Sequence, residues 1–207
     1  VDHNEIRNVR DALVAGEAAG LLVIPAVELS TPEGHLLCYF PTIEALEQFH
    51  GRLDLTDRGT QNSRCKTNMS RCLDLIEEQS GFGVLAHIDG GNGLETNDPG
   101  ASPHKLDILC HRALLGIELN TALSPVSYTE ADENPLRAGI GRQRIEKLAL
   151  GERQYLARIL SSDSHTLKAL GRNARQDQKL TRYKMTEPSF LSLRHALEEC
   201  DSRVRLE

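Results

Sequence analysis

The sequence has no apolar run approaching the length that spans a bilayer, and it has no secretory signal peptide at its start. These absences predict a soluble, cytoplasmic protein with no membrane partner. Internal repeats and low-complexity segments are also missing, so nothing in the composition divides the chain. With 207 residues, of which 39% are apolar, the chain can bury one core, and we expect residues 1–207 to form a single domain.

Cysteine is too sparse and too irregular to indicate a disulfide framework or a zinc knuckle. The five cysteines are odd in number, and no two of them have CxxC spacing. We therefore expect reduced thiols. An initiator methionine is missing as well, and the first residues already belong to a motif, so we expect a fragment or a trimmed form of a longer protein.

Positive charge is scarce in most of the chain and concentrated in one part of it. The net charge is −6, but residues 137–184 hold twelve Lys and Arg against four Asp and Glu, whereas the remainder holds twelve against twenty-six. A basic segment beside an acidic metal site suits a phosphate-bearing substrate, nucleic acid included. The alternative, equally compatible with the sequence, is that Arg142, Arg144, Lys147 and Arg153 lie on the solvated face of a helix.

Short apolar runs alternate with amphipathic segments along the chain, which is typical of α/β proteins. The runs predict strands over 21–24, 35–40, 82–86, 116–120, 155–159 and 181–185. The periodicity and capping residues predict helices over 6–19, 42–50, 69–79, 103–114, 134–150, 166–170 and 188–200, with a polar loop over 51–66. This alternation favours a parallel sheet or a (β/α) barrel.

Histidines and acids stand at or near the ends of several predicted strands. The six candidates for binding a metal are His3, Glu28, His35, His87, Asp163 and His165. Asp163 and His165 form an Asp-x-His pattern, which places both side chains on the same side of an extended chain. A buried acid is costly unless it is paired or bound to metal, so Glu28 is either a ligand or an exposed loop acid.

The candidate ligands define which metals suit the site. Imidazole nitrogens with carboxylate oxygens and no thiolate suit Zn, Mn or Fe better than Mg or Ca. Six ligands exceed what one four- or five-coordinate ion needs, so we expect at least two ions, with Glu28 as the bridge between them. Glu118 and Asn120 lie on the same side of their predicted strand and either support the ligands or face other polar groups at a sheet edge. His50 is interpreted as a surface histidine.

The motifs resemble those of the PHP (polymerase and histidinol phosphatase) domain over nearly the whole chain. The matching motifs are Asp2-His3, Glu28, Gly34-His35, Ala86-His87 and Ser162-Asp163-Ser164-His165. The resemblance implies a distorted (β/α)7 TIM-like barrel that binds two or three divalent ions (Mn, Zn or Fe). It also implies that the six candidates are metal ligands, that Glu28, Asp163 and His165 serve catalysis, and that Asp2 supports them.

Two features depart from the family pattern. The family begins with a His-x-His strand followed shortly by an Asp ligand, and neither is in this sequence, so the barrel is expected to lack its first strand. Ala26 stands where many members have Gly. The missing strand means that a complete trinuclear site cannot be assembled from these residues alone.

The resemblance implies a phosphoesterase in which a metal-activated water attacks the phosphorus of a nucleotide or nucleic-acid ester. Arg172 is a candidate for binding the phosphate, against the alternative of a solvent-facing arginine. The segment 184–206 is similar to the end of the PHP domain in the TrlF-like group, where an SMC/AAA-like ATPase follows. On that resemblance, an attached C-terminal ATPase domain is expected as a partner.

Two other functions stay open on the sequence. A metal-dependent amidohydrolase shares the barrel and the His/Asp ligands, but it needs a carboxylated Lys on a strand, and no lysine here follows an apolar strand at a suitable place. A non-catalytic PHP module that binds metal and serves a partner or an attached ATPase fits the same residues. Retention of all six matching ligands argues against such a loss of activity, whereas the missing first strand does not decide the question.

Overall fold

A five-stranded sheet forms the centre of the molecule in the computed structural model, which describes residues 2–151, 154–164, 166–170 and 179–207. The strands are β1 (Ala26–Thr31), β2 (Gly34–Tyr39), β3 (Leu55–Thr56), β4 (Arg64–Cys65), β5 (Phe82–Leu85), β6 (Leu114–Glu118), β7 (Ala157–Ile159), β8 (Thr181–Tyr183) and β9 (Val204–Leu206). The helices are α1 (Val9–Ala19), α2 (Ile43–Gly51), α3 (Met69–Glu78), α4 (Leu94–Asn97), α5 (Pro103–Leu109), α6 (Pro135–Lys147), α7 (Phe190–Glu198) and α8 (Cys200–Arg203).

The central sheet is mixed and open. Its strand order is β1-β2-β5-β6-β7, and β3-β4 and β8-β9 form two small separate ribbons. The pairs β1-β2 and β2-β5 are antiparallel, whereas β5-β6 and β6-β7 are parallel. The expected α/β class is confirmed, but among the described residues the sheet does not close into the expected (β/α)7 barrel.

The tight connection between β1 and β2 explains why the parallel arrangement fails at this edge. Only Pro32 and Glu33 separate the two strands. A two-residue link can join only antiparallel neighbours, because a parallel pair needs a crossover of a dozen or more residues. The hairpin sets Ser30 opposite His35 and Glu28 opposite Leu37.

The apolar run at 21–24 is not a strand, contrary to the sequence prediction. Leu21 and Leu22 are 67% and 44% exposed, and the run is an irregular connection between α1 and β1. Val23 packs where a side chain on Gly16 of α1 would otherwise lie, since a Cβ on Gly16 would stand 2.2 Å from its Cγ2. The true strand starts at Ala26, so Glu28 lies within a buried strand instead of in a loop.

Apolar side chains of the sheet pack into two layers, as period-two alternation requires. Leu36 and Cys38 of β2 belong to the larger core, together with Leu73 of α3. Leu37 between them belongs to the smaller core, together with Phe190 of α7. All five cysteines are buried and free, as predicted from their number and spacing.

The basic residues of α6 do not form a single solvated face. Arg144 is 6% exposed and donates to the backbone carbonyls of Leu109, His111 and Leu114 at 2.6–2.9 Å. Burial lowers the pKa of Arg144 to about 10. Arg142 on the same helix is exposed, and Arg153 lies outside the described residues. Arg144 therefore serves the packing of α6 against α5 and β6.

In the described part of the chain, no helix combines the length and the apolar character that a membrane crossing requires.

Two glycines of α6 give a matched test of how this helix packs against residues 128–129. A Cβ on Gly141 would stand 2.0 Å from the carbonyl oxygen of Tyr128, whereas a Cβ on Gly139 would meet nothing within 4 Å. Gly141→Ala should lower the free energy of unfolding by about 1–3 kcal/mol through overpacking. Gly139→Ala should raise it by about 0.5–1 kcal/mol, because alanine loses less backbone entropy in a helix. Urea unfolding measures the change in the free energy of unfolding of each variant. Equal changes in the two variants would contradict the packing of α6 on residues 128–129.

Candidate metal centre

The buried carboxylate of Glu28 lies at the centre of a cluster of histidines. Its side chain is 7% exposed, and one oxygen, Oε1, lies 2.8 Å from Nδ1 of His35, 3.5 Å from Nε2 of His87 and 3.8 Å from Nδ1 of His3. Nε2 of His87 also lies 3.1 Å from Nδ1 of His35. Four of the six predicted ligands are therefore brought together at one point.

The charges of the cluster stabilise one another. Burial alone would raise the pKa of Glu28, but hydrogen bonds from His35 and His87 and the charge of His3 bring it well below its ordinary value. The hydrogen bond to Glu28 raises the pKa of His87, against the opposing effect of burial. Glu28 is therefore ionised at neutral pH and presents a full negative charge to any cation at this point.

The positions of the donor atoms fit a metal ion. Nδ1 of His35 lies within hydrogen-bonding distance of both Glu28 and His87, yet a ring nitrogen has one in-plane position for a proton or a lone pair. One ion at a ligand distance of about 2 Å, as in zinc sites, satisfies all three atoms together. The donor atoms of His3, Glu28 and His35 all lie within 4.8 Å of one another, as a shared cation requires.

Backbone pairing places His3 and His35 on either side of Glu28. His3 forms a parallel bridge with Glu28, supported by bonds from the Asn4 N–H to the Glu28 carbonyl (2.7 Å) and from the Glu28 N–H to the Asp2 carbonyl (3.2 Å). On the other side, β2 pairs with β1 and carries His35 one residue after the hairpin. The His35 N–H donates to the carbonyl of Asn92 at 3.2 Å, which ties this edge to the glycine-rich loop.

His87 takes its position from a left-handed backbone and from Glu118. Its φ is +28° at the end of β5, and its N–H donates to Oε2 of Glu118 at 3.2 Å. Glu118 is 2% exposed, and Oγ of Ser161 donates to its other oxygen. Burial raises the pKa of Glu118, although the bonds from Ser161 and His87 oppose that effect. Glu118 thus links β5 to the segment that carries Asp163.

A cavity of about 440 Å³ places Asp163 beside this cluster; we call it the Asp163 cavity. Its wall includes Asp2, His3, Glu28, Glu118 and Asp163. The charge of Asp163 also contributes, as the smallest of the named causes, to the raised pKa of His87. The carboxylates of Glu28 and Asp163 thus belong to the same cavity.

Three other predicted residues have different outcomes. Asn120 is exposed, and its backbone N–H donates to Asp89 at 2.9 Å, so it contacts the glycine-rich loop. His165 and Arg172 lie outside the described residues.

Asn4 is an important residue of the site that sequence reasoning did not single out. It is 2% exposed; its Nδ2 donates to the Ser63 carbonyl and its Oδ1 accepts from the Ser30 N–H, both at 3.0 Å. Nε2 of His50 donates to the Asn4 carbonyl at 3.1 Å. His50 is thus partly buried and hydrogen-bonded, which corrects its interpretation as a surface histidine. The only sequence signal was the position of Asn4 next to His3.

A buried ion pair supports the loop behind His35. Lys105 is fully buried, and its Nζ donates to Oε1 of Glu95 and to the Asp98 carbonyl, both at 2.6 Å. The hydroxyl of Tyr128 donates to the same Glu95 oxygen. A buried ammonium needs such partners, because desolvation costs several kcal/mol per ion. These bonds hold the loop that contains Asn92 against the core.

Replacing Asn4 tests how the cluster is held. Asn4→Ala removes two buried hydrogen bonds and should lower the free energy of unfolding by about 2 kcal/mol. Amide exchange over residues 2–8 should accelerate as well. The control is Asn8→Ala, because Asn8 is exposed and donates to Asp2 at 3.1 Å. Its effect should stay below about 0.5 kcal/mol. Similar losses in both variants would show that Asn4 does not hold the segment.

The acid dependence of stability tests the turn before α6. Burial would raise the pKa of Asp132, but hydrogen bonds from Arg137 and from backbone N–H groups lower it to about 2. Because the folded pKa is depressed, its contribution is present above the unfolded pKa of 3.8 and lost as pH falls toward 2.

The free energy of unfolding of Asp132→Asn is lower than that of the wild type at pH 5. This difference should decrease by about 2 kcal/mol as the pH falls from about 5 to 2. Urea unfolding across that range measures it. Asp107→Asn is the control, because the Asp107 side chain is 65% exposed. A pH-independent difference for Asp132→Asn would refute the lowered pKa.

Comparisons with known proteins bear on the fold. No family model and no curated protein matches the chain. Among solved structures, it resembles the lesion-specific endonuclease PfuEndoQ from Pyrococcus furiosus, with a TM-score of 0.57 and 14% identity over 87% of this chain and 40% of that one. It also resembles a two-domain Bacteroides vulgatus ATCC 8482 protein containing a predicted PHP-like metal-dependent phosphoesterase, with a TM-score of 0.59 and 15% identity over 100% of this chain and 54% of that one.

The chain therefore spans about half or less of the length of these two structures. The likeness of the chain to these two structures is one of fold, and one of the two contains a predicted PHP-like domain, so the resemblance drawn from the sequence motifs is confirmed at the level of the fold.

Proposed function

We propose that the chain is a metal-dependent phosphoesterase that acts on a nucleotide or nucleic-acid ester. The observation that carries the proposal is the convergence of His35, His87 and His3 on one oxygen of the buried Glu28 carboxylate. The two structural neighbours, a lesion-specific endonuclease and a PHP-like metal-dependent phosphoesterase, support hydrolysis of a phosphate ester by this arrangement. The endonuclease supports the choice of a nucleic-acid or nucleotide substrate.

The residues of the cluster would hold at least two divalent ions, for which Mn, Zn or Fe suits the nitrogen and oxygen donors. His3, Glu28, His35 and His87 would hold the first, and Glu28 would share its carboxylate with a further ion held with Asp163 and His165. Ions of this kind lower the pKa of water to near neutrality and neutralise the charge of the phosphoryl oxygens.

The chain's own side chains prepare the site for that chemistry. Because Glu28 is ionised and buried, its negative charge favours a cation at this point over a water molecule. Glu118 accepts hydrogen bonds from the backbone of His87 and from Ser161 in the segment of Asp163, so it connects these two parts of the site. Asp163 lines the cavity as an exposed carboxylate, where it would orient the attacking water.

Substitution of Glu28 tests the proposal. Glu28→Gln keeps the size of the side chain but removes the charge, so Mn²⁺ affinity measured by calorimetry should fall at least about 100-fold. Hydrolysis of bis-p-nitrophenyl phosphate and p-nitrophenyl phosphate with added Mn²⁺ should fall in parallel. The control is His104→Gln on α5, because His104 is bonded to Glu33 and lies outside the cluster.

Either of two results would contradict the proposal. One is Glu28→Gln with wild-type metal affinity and activity. The other is a wild-type chain that binds Mn²⁺ at this site but cleaves neither ester, which would favour the non-catalytic metal-binding module.

A further inference from the structure

A second cavity, of about 730 Å³, shares Asp2 and His3 with the Asp163 cavity. His35 of the metal centre also lines it. Its two arginines, Arg7 and Arg64, come from the segment before α1 and from β4, and we call it the arginine cavity. Its volume is in the range of pockets that bind small organic ligands. A molecule in this cavity would lie directly beside the metal centre.

The two guanidinium groups are held at the wall of the cavity by local contacts. Nε of Arg7 pairs with Glu5 at 2.8 Å, and its Nη2 lies 3.1 Å from the position that a Cβ on Gly59 would take. Nη1 of Arg64 donates to the carbonyl of Ser63 at 2.8 Å. These contacts engage only part of each guanidinium, which has five N–H donors. The remaining donors suit a phosphate group, which arginine binds in bidentate geometry.

The rest of the lining is polar and contains hydrogen-bonding groups of the kind that sugar hydroxyls use. Besides the carboxylates of Asp2 and Glu5, hydroxyl and amide side chains line it, among them Ser30, Thr31, Thr60, Gln61, Asn92 and Asn97. Among the described residues that line it, there is no Phe, Tyr or Trp. Proteins that bind single-stranded nucleic acid usually stack bases on aromatic rings. The lining therefore suits a phosphate and a sugar.

We infer that the arginine cavity binds a phosphorylated sugar unit of the substrate, with Arg7 and Arg64 contacting its phosphate. The inference rests on the proposed phosphoesterase function and adds the part of the substrate that the protein recognises. It also assigns phosphate binding to residues outside the basic segment 137–184.

Glu5 sets the strength of this recognition. Its Oε2 pairs with Arg7, and its Oε1 accepts from the backbone N–H groups of Ile6 and Arg7. A bound phosphate competes with the Glu5 carboxylate for the Arg7 guanidinium. Removing the charge of Glu5 therefore strengthens phosphate binding, whereas removing either arginine weakens it.

Calorimetric titration of the metal-free chain with ribose 5-phosphate tests the inference without relying on catalysis. Arg7→Gln and Arg64→Gln should each weaken binding about tenfold, and Glu5→Gln should strengthen it about threefold. Adenosine, which has a base and a sugar but no phosphate, should bind at least about tenfold more weakly than ribose 5-phosphate. The matched control is Arg71→Gln, because Arg71 lies on α3 and pairs with Asp74 and Glu78 outside this cavity.

A single-stranded abasic trinucleotide tests whether the sugar phosphate belongs to a nucleic-acid backbone or to a small molecule. Binding more than about tenfold tighter than ribose 5-phosphate, with the gain lost in Arg64→Gln, identifies a nucleic-acid backbone. Binding equal to that of ribose 5-phosphate identifies a free sugar phosphate or a mononucleotide. Both results support the cavity as a sugar-phosphate site.

Unchanged binding in Arg7→Gln and Arg64→Gln, or adenosine binding as tightly as ribose 5-phosphate, would overturn the inference. Such a result leaves the proposed function intact if ester hydrolysis still depends on Glu28. Conversely, hydrolysis that survives Glu28→Gln would refute the proposed function while the titration still reports on the cavity.

Discussion

The structure depends on one buried negative charge. The carboxyl group of Glu28 is almost completely removed from water in the middle of β1, where an unpaired charge would be strongly destabilising. Three histidines from separate parts of the chain surround it and keep it ionised. Because these histidines come from the segment before α1, from β2 and from the end of β5, the cluster forms only when that edge of the sheet has assembled. The site therefore forms only in the folded protein.

The same arrangement explains why a cation suits the site. In the protein alone, the nitrogens of His35 and His87 and one oxygen of Glu28 crowd around a common point, where ring nitrogens have too few protons and lone pairs for separate hydrogen bonds. A cation accepts all of these atoms as ligands. Asn4 holds the third histidine at this point by linking its segment to β1 and to the turn before β4.

Four of the six residues that the sequence selected lie close together in the structure, whereas the fold around them differs from the prediction. Glu28 and the three histidines were selected as polar residues at or near the ends of apolar runs, but Glu28 lies in the middle of β1 and meets the histidines through strand pairing. The strand that carries Glu28 was misplaced onto 21–24, since hydropathy does not distinguish an exposed connection from a buried strand. The two-residue link that requires an antiparallel hairpin becomes visible only when β1 is placed at Ala26–Thr31. By contrast, the roles of Asn4 and Arg144 depend on carbonyl groups distant in sequence, which no local pattern reveals.

Anomalous diffraction from crystals of the chain grown with Mn²⁺ tests the central claim most directly. The account predicts a peak about 2 Å from Oε1 of Glu28, Nδ1 of His35 and Nε2 of His87. A crystal with Mn²⁺ bound elsewhere, and with His35 still hydrogen-bonded to Glu28, would contradict it.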